Sequence, residues 1–169
     1  MSIILTNGTK EDIPELVRLR LAYIDDDFGT VSGEVRMHLE AQLYDFFQRK
    51  LETGCIAFIA KDGDRAVSSA LLIIEEKPAN PSFIHGMTGN VLSVYTEPDY
   101  RHRGLCTALM ENLIAYAKEH GIDKLNLSAT EDGCPIYKKL GFKEASGKYV
   151  PMSYVFSKKY KASTSHYQK

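Results

Sequence analysis

The segment "EPDYRHRGLCTALMENL", residues Glu97–Leu113, decides the fold class of this chain. Three basic side chains precede a single glycine, Gly104, and an apolar helical pattern follows it. Basic groups at a helix start are unfavourable on their own, because the helix dipole already makes that end positive. The free N–H groups of a first helical turn, together with basic side chains, are suited to an anion such as a phosphate or pyrophosphate. Glycine has no Cβ, so the backbone at Gly104 can approach such a ligand closely.

The composition limits the classes of protein to which this chain can belong. The chain has 169 residues, of which 44% are hydrophobic and 25% charged, so it can form one domain with a buried core. A formal net charge of −1 gives no reason to expect a nucleic-acid or membrane partner. The widely spaced Cys55, Cys106 and Cys134 form no C-x-x-C pair and no Cys/His cluster, which predicts neither a disulfide framework nor a metal site. Neither a signal pattern nor a run of about 20 apolar residues is visible, so we expect a cytoplasmic protein.

Apolar periodicity predicts the order of the elements. A strand at Ile3–Leu5 precedes two helices, the first ending in an acidic loop at Asp25–Asp27. The strands Cys55–Ala60 and Ala66–Ile74 form a hairpin through an Asp-Gly turn. The remaining elements are predicted as a strand Asn90–Thr96, a helix Gly104–His120, a strand Lys124–Ala129, a helix Pro135–Leu140 and closing strands Phe142–Glu144 and Tyr149–Phe156. We therefore expect one mixed α/β domain over residues 1–160 with a partly parallel sheet, and a disordered tail over residues 161–169.

Two familiar phosphate motifs are absent from the sequence. The dinucleotide fingerprint G-x-G-x-x-G and the nucleoside-triphosphate loop G-x-x-x-x-G-K-S/T do not occur. The spacing Arg101-x-x-Gly104-x-Cys106 instead resembles the acetyl-coenzyme A signature of the GNAT superfamily of N-acetyltransferases, Gln/Arg-x-x-Gly-x-Gly/Ala, with Cys106 where Gly or Ala is usual. The segments "PIYKKLGF", Pro135–Phe142, and "VYTEPDYRHRG" are also similar to that superfamily, the second to a bacterial subgroup. The resemblance is close over residues 90–142 and extends to the order of elements before them.

The resemblance implies a fold and a coenzyme site. The fold would be GNAT-like, with a mostly antiparallel twisted central sheet, a splayed parallel strand pair and flanking helices. The pantetheine arm of acetyl-coenzyme A would lie in the gap between the splayed strands, and backbone N–H groups of residues 102–107 would bind its pyrophosphate. The coenzyme-binding residues so implied are Val94, Tyr95, Thr96, Arg101, His102, Arg103, Gly104, Leu105, Cys106 and Thr107.

Tyr137 is the candidate catalytic residue, because the resemblance brings it near the coenzyme sulfur. A phenol with a pKa of about 10 can protonate a departing thiolate whose thiol has a pKa of about 8.5. The alternative is that Tyr137 only packs between helix and sheet, with its hydroxyl on a backbone group. A general base stays unassigned: a water chain is one alternative, and the side-chain candidates are Glu75, Glu76, His85 and Glu97.

Two function classes remain open at this stage. The first is an N-acetyltransferase that transfers an acetyl group from acetyl-coenzyme A to an amine of a small molecule, protein or peptide, without a metal. The second is a non-catalytic module of the same fold that binds coenzyme A. Asp25–Asp27 would favour a cationic amine if they border the acceptor cleft, and are solvated surface charges otherwise. Dimers are common among the proteins that the chain resembles, which leaves a homodimer open.

Overall fold

The computed structural model describes residues 2–145 and 150–156, which form a five-stranded sheet flanked by helices. The strands are β1 Ile3–Asn7, β2 Cys55–Asp62, β3 Arg65–Glu76, β4 Met87–Thr96 and β5 Lys124–Asn126. The helices are α1 Ile13–Phe28, α2 Gly33–Lys50, α3 Leu105–Glu119 and α4 Cys134–Lys139. Most of these bounds lie within a few residues of those that the periodicity predicts.

The strands lie in the sheet in chain order, from β1 to β5. Neighbouring strands from β1 to β4 are antiparallel, and β4 and β5 are parallel. A parallel pair needs a long crossover, which the helix α3 supplies. The pair is short, since only Thr88–Asn90 of β4 faces Lys124–Asn126 of β5. The predicted sheet, mostly antiparallel with one splayed parallel pair, is therefore confirmed.

Both faces of the sheet are covered, and this explains why β2 is a continuous apolar run. Successive side chains of a strand point to opposite faces. Ala57 and Ile59 pack into the core cluster beneath α1 and α2, whereas Phe58 and Ala60 pack into the cluster beneath α3. A strand buried on both faces carries no polar side, so its sequence does not alternate.

The acidic triplet Asp25–Asp27 differs from its prediction, because it lies in the last turn of α1 and not in a loop. Carboxylates are unfavourable at the C-terminal end of a helix, where the dipole is negative. Cations from other elements offset this: Arg36 pairs with Asp25 at 2.9 Å, and Arg101 pairs with Asp26 at 2.7 Å. The helix can therefore continue to Phe28.

The prediction of two closing strands is wrong within the described residues. Neither 142–145 nor 150–156 forms a strand, and β5 ends at Asn126 rather than Ala129. Alternating apolar residues favour an extended chain, but a strand also needs a partner edge, and the edge strand β5 offers only Lys124–Asn126. In 150–156 the apolar side chains are 59–92% exposed. Tyr149 and the predicted tail at 161–169 lie outside the described residues.

Candidate active site

The loop that enters α3 presents a row of free backbone donors. Within the described part of the chain, the N–H groups of residues 102–107 make no hydrogen bond. The first turn of any helix leaves such groups unpaired. Here the row is extended by a loop in which His102 and Gly104 have positive φ angles of 61° and 76°. Left-handed residues within a turn can make N–H groups converge into a concavity that binds anions. The loop therefore has donors for an anion, and the binding of a pyrophosphate there stays a prediction.

The two arginines of this loop are turned toward the protein. Arg101 donates from Nε to the Thr96 carbonyl at 3.0 Å and pairs with Asp26. Arg103 donates from Nη2 to the Asp99 carbonyl at 2.7 Å. Each guanidinium also lies over a tyrosine ring, that of Tyr95 or Tyr100. Direct contact of either guanidinium with a phosphate therefore stays a prediction.

A bulge interrupts β4 close to its C-terminal end. Tyr95 faces Ser69 and Leu92 faces Leu71, so two residues of β4, Ser93 and Val94, stand opposite Ala70 alone. Ser93 has a positive φ of 53°, which marks the bulged residue. Such a bulge bends the strand, and β4 no longer pairs with β5 beyond Asn90. The backbone edge of β4 between Val94 and Thr96 is thus free of a neighbouring strand on the β5 side.

A cleft of about 390 Å³ fills the gap between the diverging strands. One side comes from β4, the other from β5 and the chain after it, and the end of α1 crosses over both. Its lining residues are Arg20, Tyr23, Asp27, Phe28, Asn90, Val91, Leu92, Ser93, Val94, Asn126, Leu127, Ser128, Thr130 and Tyr137. The bulge and Tyr137 therefore border one continuous space.

Tyr137 lies on α4 and is packed on two sides. Its ring makes an edge contact with Phe142, with ring centroids 6.0 Å apart, and one ring edge lies close to Gly133. Burial raises the pKa of Tyr137 to about 12, and negative charge on Cys106 or Tyr23 would add to that rise. Its hydroxyl has no hydrogen-bond partner among the described residues. The expectation that it bonds to a backbone group is therefore not met, and the phenol stays protonated at neutral pH.

The cysteine at the start of α3 is not an activated nucleophile. Burial raises the pKa of the Cys106 thiol, and a raised pKa disfavours the reactive thiolate. Its side chain packs against the core cluster beneath α3. This agrees with the interpretation of Cys106 as a small residue in the glycine-containing turn.

Glu97 can be removed from the candidate bases. It is buried and pairs with both Arg18 and Arg65. Burial by itself would raise the pKa of this carboxyl, but the hydrogen bonds from Arg65 and Arg18 outweigh it and hold the pKa below its usual value. A carboxylate so paired is a poor proton acceptor, and it instead ties α1 to the end of β4.

The other candidate bases lie away from the cleft. Glu75 pairs with Lys77 at the end of β3, and neither Glu75 nor Glu76 lines the cleft. The His85 Nδ1 lies 2.6 Å from Asp123 Oδ1, before the start of β4. The structure therefore brings none of these three side chains to Tyr137.

Sequence reasoning missed the contribution of α1 to the cleft. Tyr23 packs edge-on against Tyr95, with ring centroids 6.4 Å apart, and Arg20 and Asp27 line the same space. One signal was present, since Arg20 interrupts the apolar face of the helix. Among the described residues there is no cluster of three or more His, Cys, Asp or Glu side chains, and no helix has the length and apolarity needed to cross a bilayer.

Comparisons with known proteins agree with this geometry. Residues 20–142 match the model of the acetyltransferase (GNAT) family. The glucosamine 6-phosphate N-acetyltransferase of Trypanosoma brucei brucei is 36% identical over 81 residues, which are 47% of this chain and 52% of that protein. The chain thus spans about half the length of this curated relative.

Solved structures share the fold at lower identity. A predicted acetyltransferase of Clostridium acetobutylicum, solved with acetyl-CoA, aligns at a TM-score of 0.75 and 23% identity, over 90% of this chain and 96% of that one. The glucosamine-6-phosphate N-acetyltransferase of Arabidopsis thaliana aligns at 0.67 and 18%, over 93% of this chain and 100% of that one. Because the family model matches well over half of its residues, the chain belongs to the GNAT acetyltransferase family.

Proposed function

We propose that this protein is an N-acetyltransferase that uses acetyl-coenzyme A to acetylate an amine. The observation that carries the proposal is the cleft beside the β4 bulge, which Tyr137 lines. A row of free N–H groups at residues 102–107 and an edge of β4 that β5 leaves unpaired support it. Family membership supports the same activity. The bound coenzyme would supply an acetyl group activated as a thioester.

Each part of the site has a role in this proposal. The N–H groups of residues 102–107 bind the pyrophosphate, and the backbone edge of β4 at Val94 and Thr96 holds the pantetheine arm, although the Thr96 carbonyl already accepts a hydrogen bond from Arg101. Leu105, Cys106 and Thr107 contribute their backbone, while the side chains of Arg101 and Arg103 keep the loop in shape. No step calls for a metal ion.

Tyr137 acts as a hydrogen-bond donor rather than as a strong acid. With a pKa of about 12 it holds its proton at neutral pH. Full transfer of that proton to a thiolate with a thiol pKa of about 8.5 would be uphill by about 3.5 pK units, or roughly 5 kcal/mol. This corrects the simple comparison of unperturbed pKa values. A donated hydrogen bond in a partly buried site still stabilises developing negative charge.

The acceptor is an amine of a small molecule or of a protein. Formation of a homodimer would not change this set of acceptors. Glucosamine 6-phosphate is one compound to test, since it is named as the substrate of relatives. None of Glu75, Glu76, His85 and Glu97 lines the cleft, and we assign deprotonation of the amine to water in the open cleft. The alternative function is a regulatory module that binds coenzyme A without turnover.

Tyr137→Phe tests the proposal, with Tyr116→Phe as its matched control. Both rings pack against the same core cluster, and neither hydroxyl has a partner among the described residues, but only Tyr137 lines the cleft. We expect Tyr137→Phe to fold, to bind acetyl-coenzyme A like the wild type and to lose about 10²–10³-fold in kcat, the span of one hydrogen-bond donor to developing negative charge. Tyr116→Phe should keep its kcat.

Thiol release with an amine panel and calorimetric titration with acetyl-coenzyme A provide the two readouts. Binding without thiol release in the wild type would favour the regulatory module. A near-normal kcat in Tyr137→Phe with a lowered Tm would restrict Tyr137 to packing.

A further inference from the structure

Arg20 is a charged side chain in an apolar setting. It lies in α1 between Leu19 and Leu21, both of which are buried, and its own side chain is half-buried and lines the cleft. Its guanidinium lies over the ring of Tyr23, 5.0 Å from the ring centroid. Within the described residues it forms neither an ion pair nor a hydrogen bond. A partly desolvated cation without a partner is costly, and such groups are normally paired.

Its neighbours show what a paired arginine looks like here. Arg18, two residues earlier on α1, pairs with Glu15 and Glu97. Arg101, beside the end of the same helix, pairs with Asp26. Arg20 differs from these in that its five N–H donors face a cavity instead of a carboxylate.

The other charged group in the cleft does not neutralise Arg20. Asp27 also lines the cleft, seven residues further along α1, which corresponds to about 10 Å along the helix axis. Its charge acts on Arg20 through space and favours the charged guanidinium, but among the described residues the two side chains form no ion pair. Tyr23 and Tyr137 also line this space, and burial raises the pKa of Tyr137 to about 12, so that this phenol carries no charge at neutral pH. The Arg20 end of the cleft is therefore positive, and the Asp27 end is negative.

We infer that the acceptor amine carries an anionic group, a carboxylate or a phosphate, and that Arg20 binds this group in the cleft. The inference rests on the proposed function. A guanidinium presents its donors as a planar fork that matches both anions in a bidentate manner. The ring of Tyr23 holds this fork in place before the acceptor arrives, which lowers the ordering cost of binding. Asp27 repels the anion from the other end and so fixes one orientation of the acceptor.

The pyrophosphate of the coenzyme is a separate anion from that of the acceptor, and it binds away from Arg20. The free N–H groups that fit it belong to residues 102–107 at the start of α3, and none of these residues lines the cleft beside Arg20. Loss of the Arg20 charge should therefore weaken binding of the acceptor and leave binding of acetyl-coenzyme A unchanged.

The test uses pairs of amines that differ by one anionic group. Glucosamine 6-phosphate is compared with glucosamine, and phenylalanine with phenethylamine, as substrates and, in N-acetylated form, as ligands in calorimetric titration. The variants are Arg20→Gln and Arg20→Lys, with Arg49→Gln as control, because Arg49 is exposed on α2 and pairs with Asp45 alone among the described residues. We expect Arg20→Gln to weaken at least one anionic ligand by about 10- to 100-fold, the span of one charged hydrogen bond. Its neutral partner should bind as before, and Arg20→Lys should lie between.

The two pairs separate the two anions, since a phosphate site favours the sugar pair and a carboxylate site the amino-acid pair. Equal binding of charged and neutral members, no Arg20-dependent binding of any of them, or an equal loss of acetyl-coenzyme A affinity in Arg20→Gln would overturn the inference. Failure of the proposed function would differ, because the wild type would then bind acetyl-coenzyme A without transfer to any amine, or would not bind it at all.

Discussion

Replacing Gly104 with valine should disable the pyrophosphate loop while the fold persists. Gly104 has a φ of 76°, and a Cβ built there meets no protein atom within 4 Å. The substitution therefore creates no clash inside the protein. Two costs remain: the strain of a left-handed L-residue, about 1–2 kcal/mol, and a side chain that projects from the surface where the free N–H groups lie.

The size of the binding effect follows from those donors. To relieve its strain the loop shifts away from the conformation in which the N–H groups of residues 102–107 converge. A hydrogen bond to a charged group contributes about 1.5–3 kcal/mol, so the loss of one such bond weakens binding by about 10- to 100-fold. We therefore expect the Kd for acetyl-coenzyme A to rise by at least about tenfold.

Gly63→Val is the matched control for strain. Gly63 has a φ of 61° in the hairpin between β2 and β3, and a Cβ there also meets nothing within 4 Å. Gly63→Val should lower the free energy of unfolding as much as Gly104→Val does, and should not change the Kd for acetyl-coenzyme A. Calorimetric titration and denaturant unfolding of both variants supply the comparison. Wild-type affinity in a folded Gly104→Val protein would refute the assignment of the pyrophosphate to this loop.

Four further outcomes are expected. Glu97→Gln should lower the Tm and leave the pH profile of kcat unchanged. Because the pKa of Glu97 is depressed in the folded state, its contribution to stability is present above about pH 4.5 and is lost as the pH falls through the pKa of the folded state. Acid unfolding of the wild type and the variant measures this difference. Asp27→Asn should raise KM for a cationic acceptor more at low salt than at high salt, whereas Asp25→Asn should alter only stability, since Asp25 is paired with an arginine. The kcat profile should show no loss from ionisation of Tyr137 below about pH 11, and an earlier alkaline decline that disappears in the phenylalanine variant would contradict its raised pKa. Exhaustive chelation should leave activity intact, and a loss that zinc restores would reveal a missed metal site.

Much of the fold could be predicted because it is encoded locally. The unbroken apolar run in β2 reports burial on both faces, and the Asp-Gly turn fixes the hairpin that follows. The glycine before α3 and the tyrosine on α4 are likewise local signals, and their neighbours in sequence carry the family resemblance. In each case the information lies within a few residues, at the range of backbone conformation and side-chain periodicity.

The partners of charged groups were decided only by tertiary structure. Glu97 looked like a free carboxylate until Arg18, 79 residues away, paired with it. Asp26 looked like part of an acidic loop until Arg101, 75 residues away, neutralised it. Whether a charged side chain is a base, a ligand-binding group or a structural tie depends on which opposite charge the folded chain brings to it.

The sequence by itself therefore determined the order of elements from β1 to α4 and marked the loop at Gly104 and Tyr137 as site candidates. Tertiary structure decided that α1 crosses the cleft, so that Arg20 faces it without a partner, and that no closing strand pairs with β5 in the described residues. The physical reason is the range of the interactions. Helix starts, turns and apolar faces form from near neighbours, whereas a cleft and its charges exist only where distant segments meet.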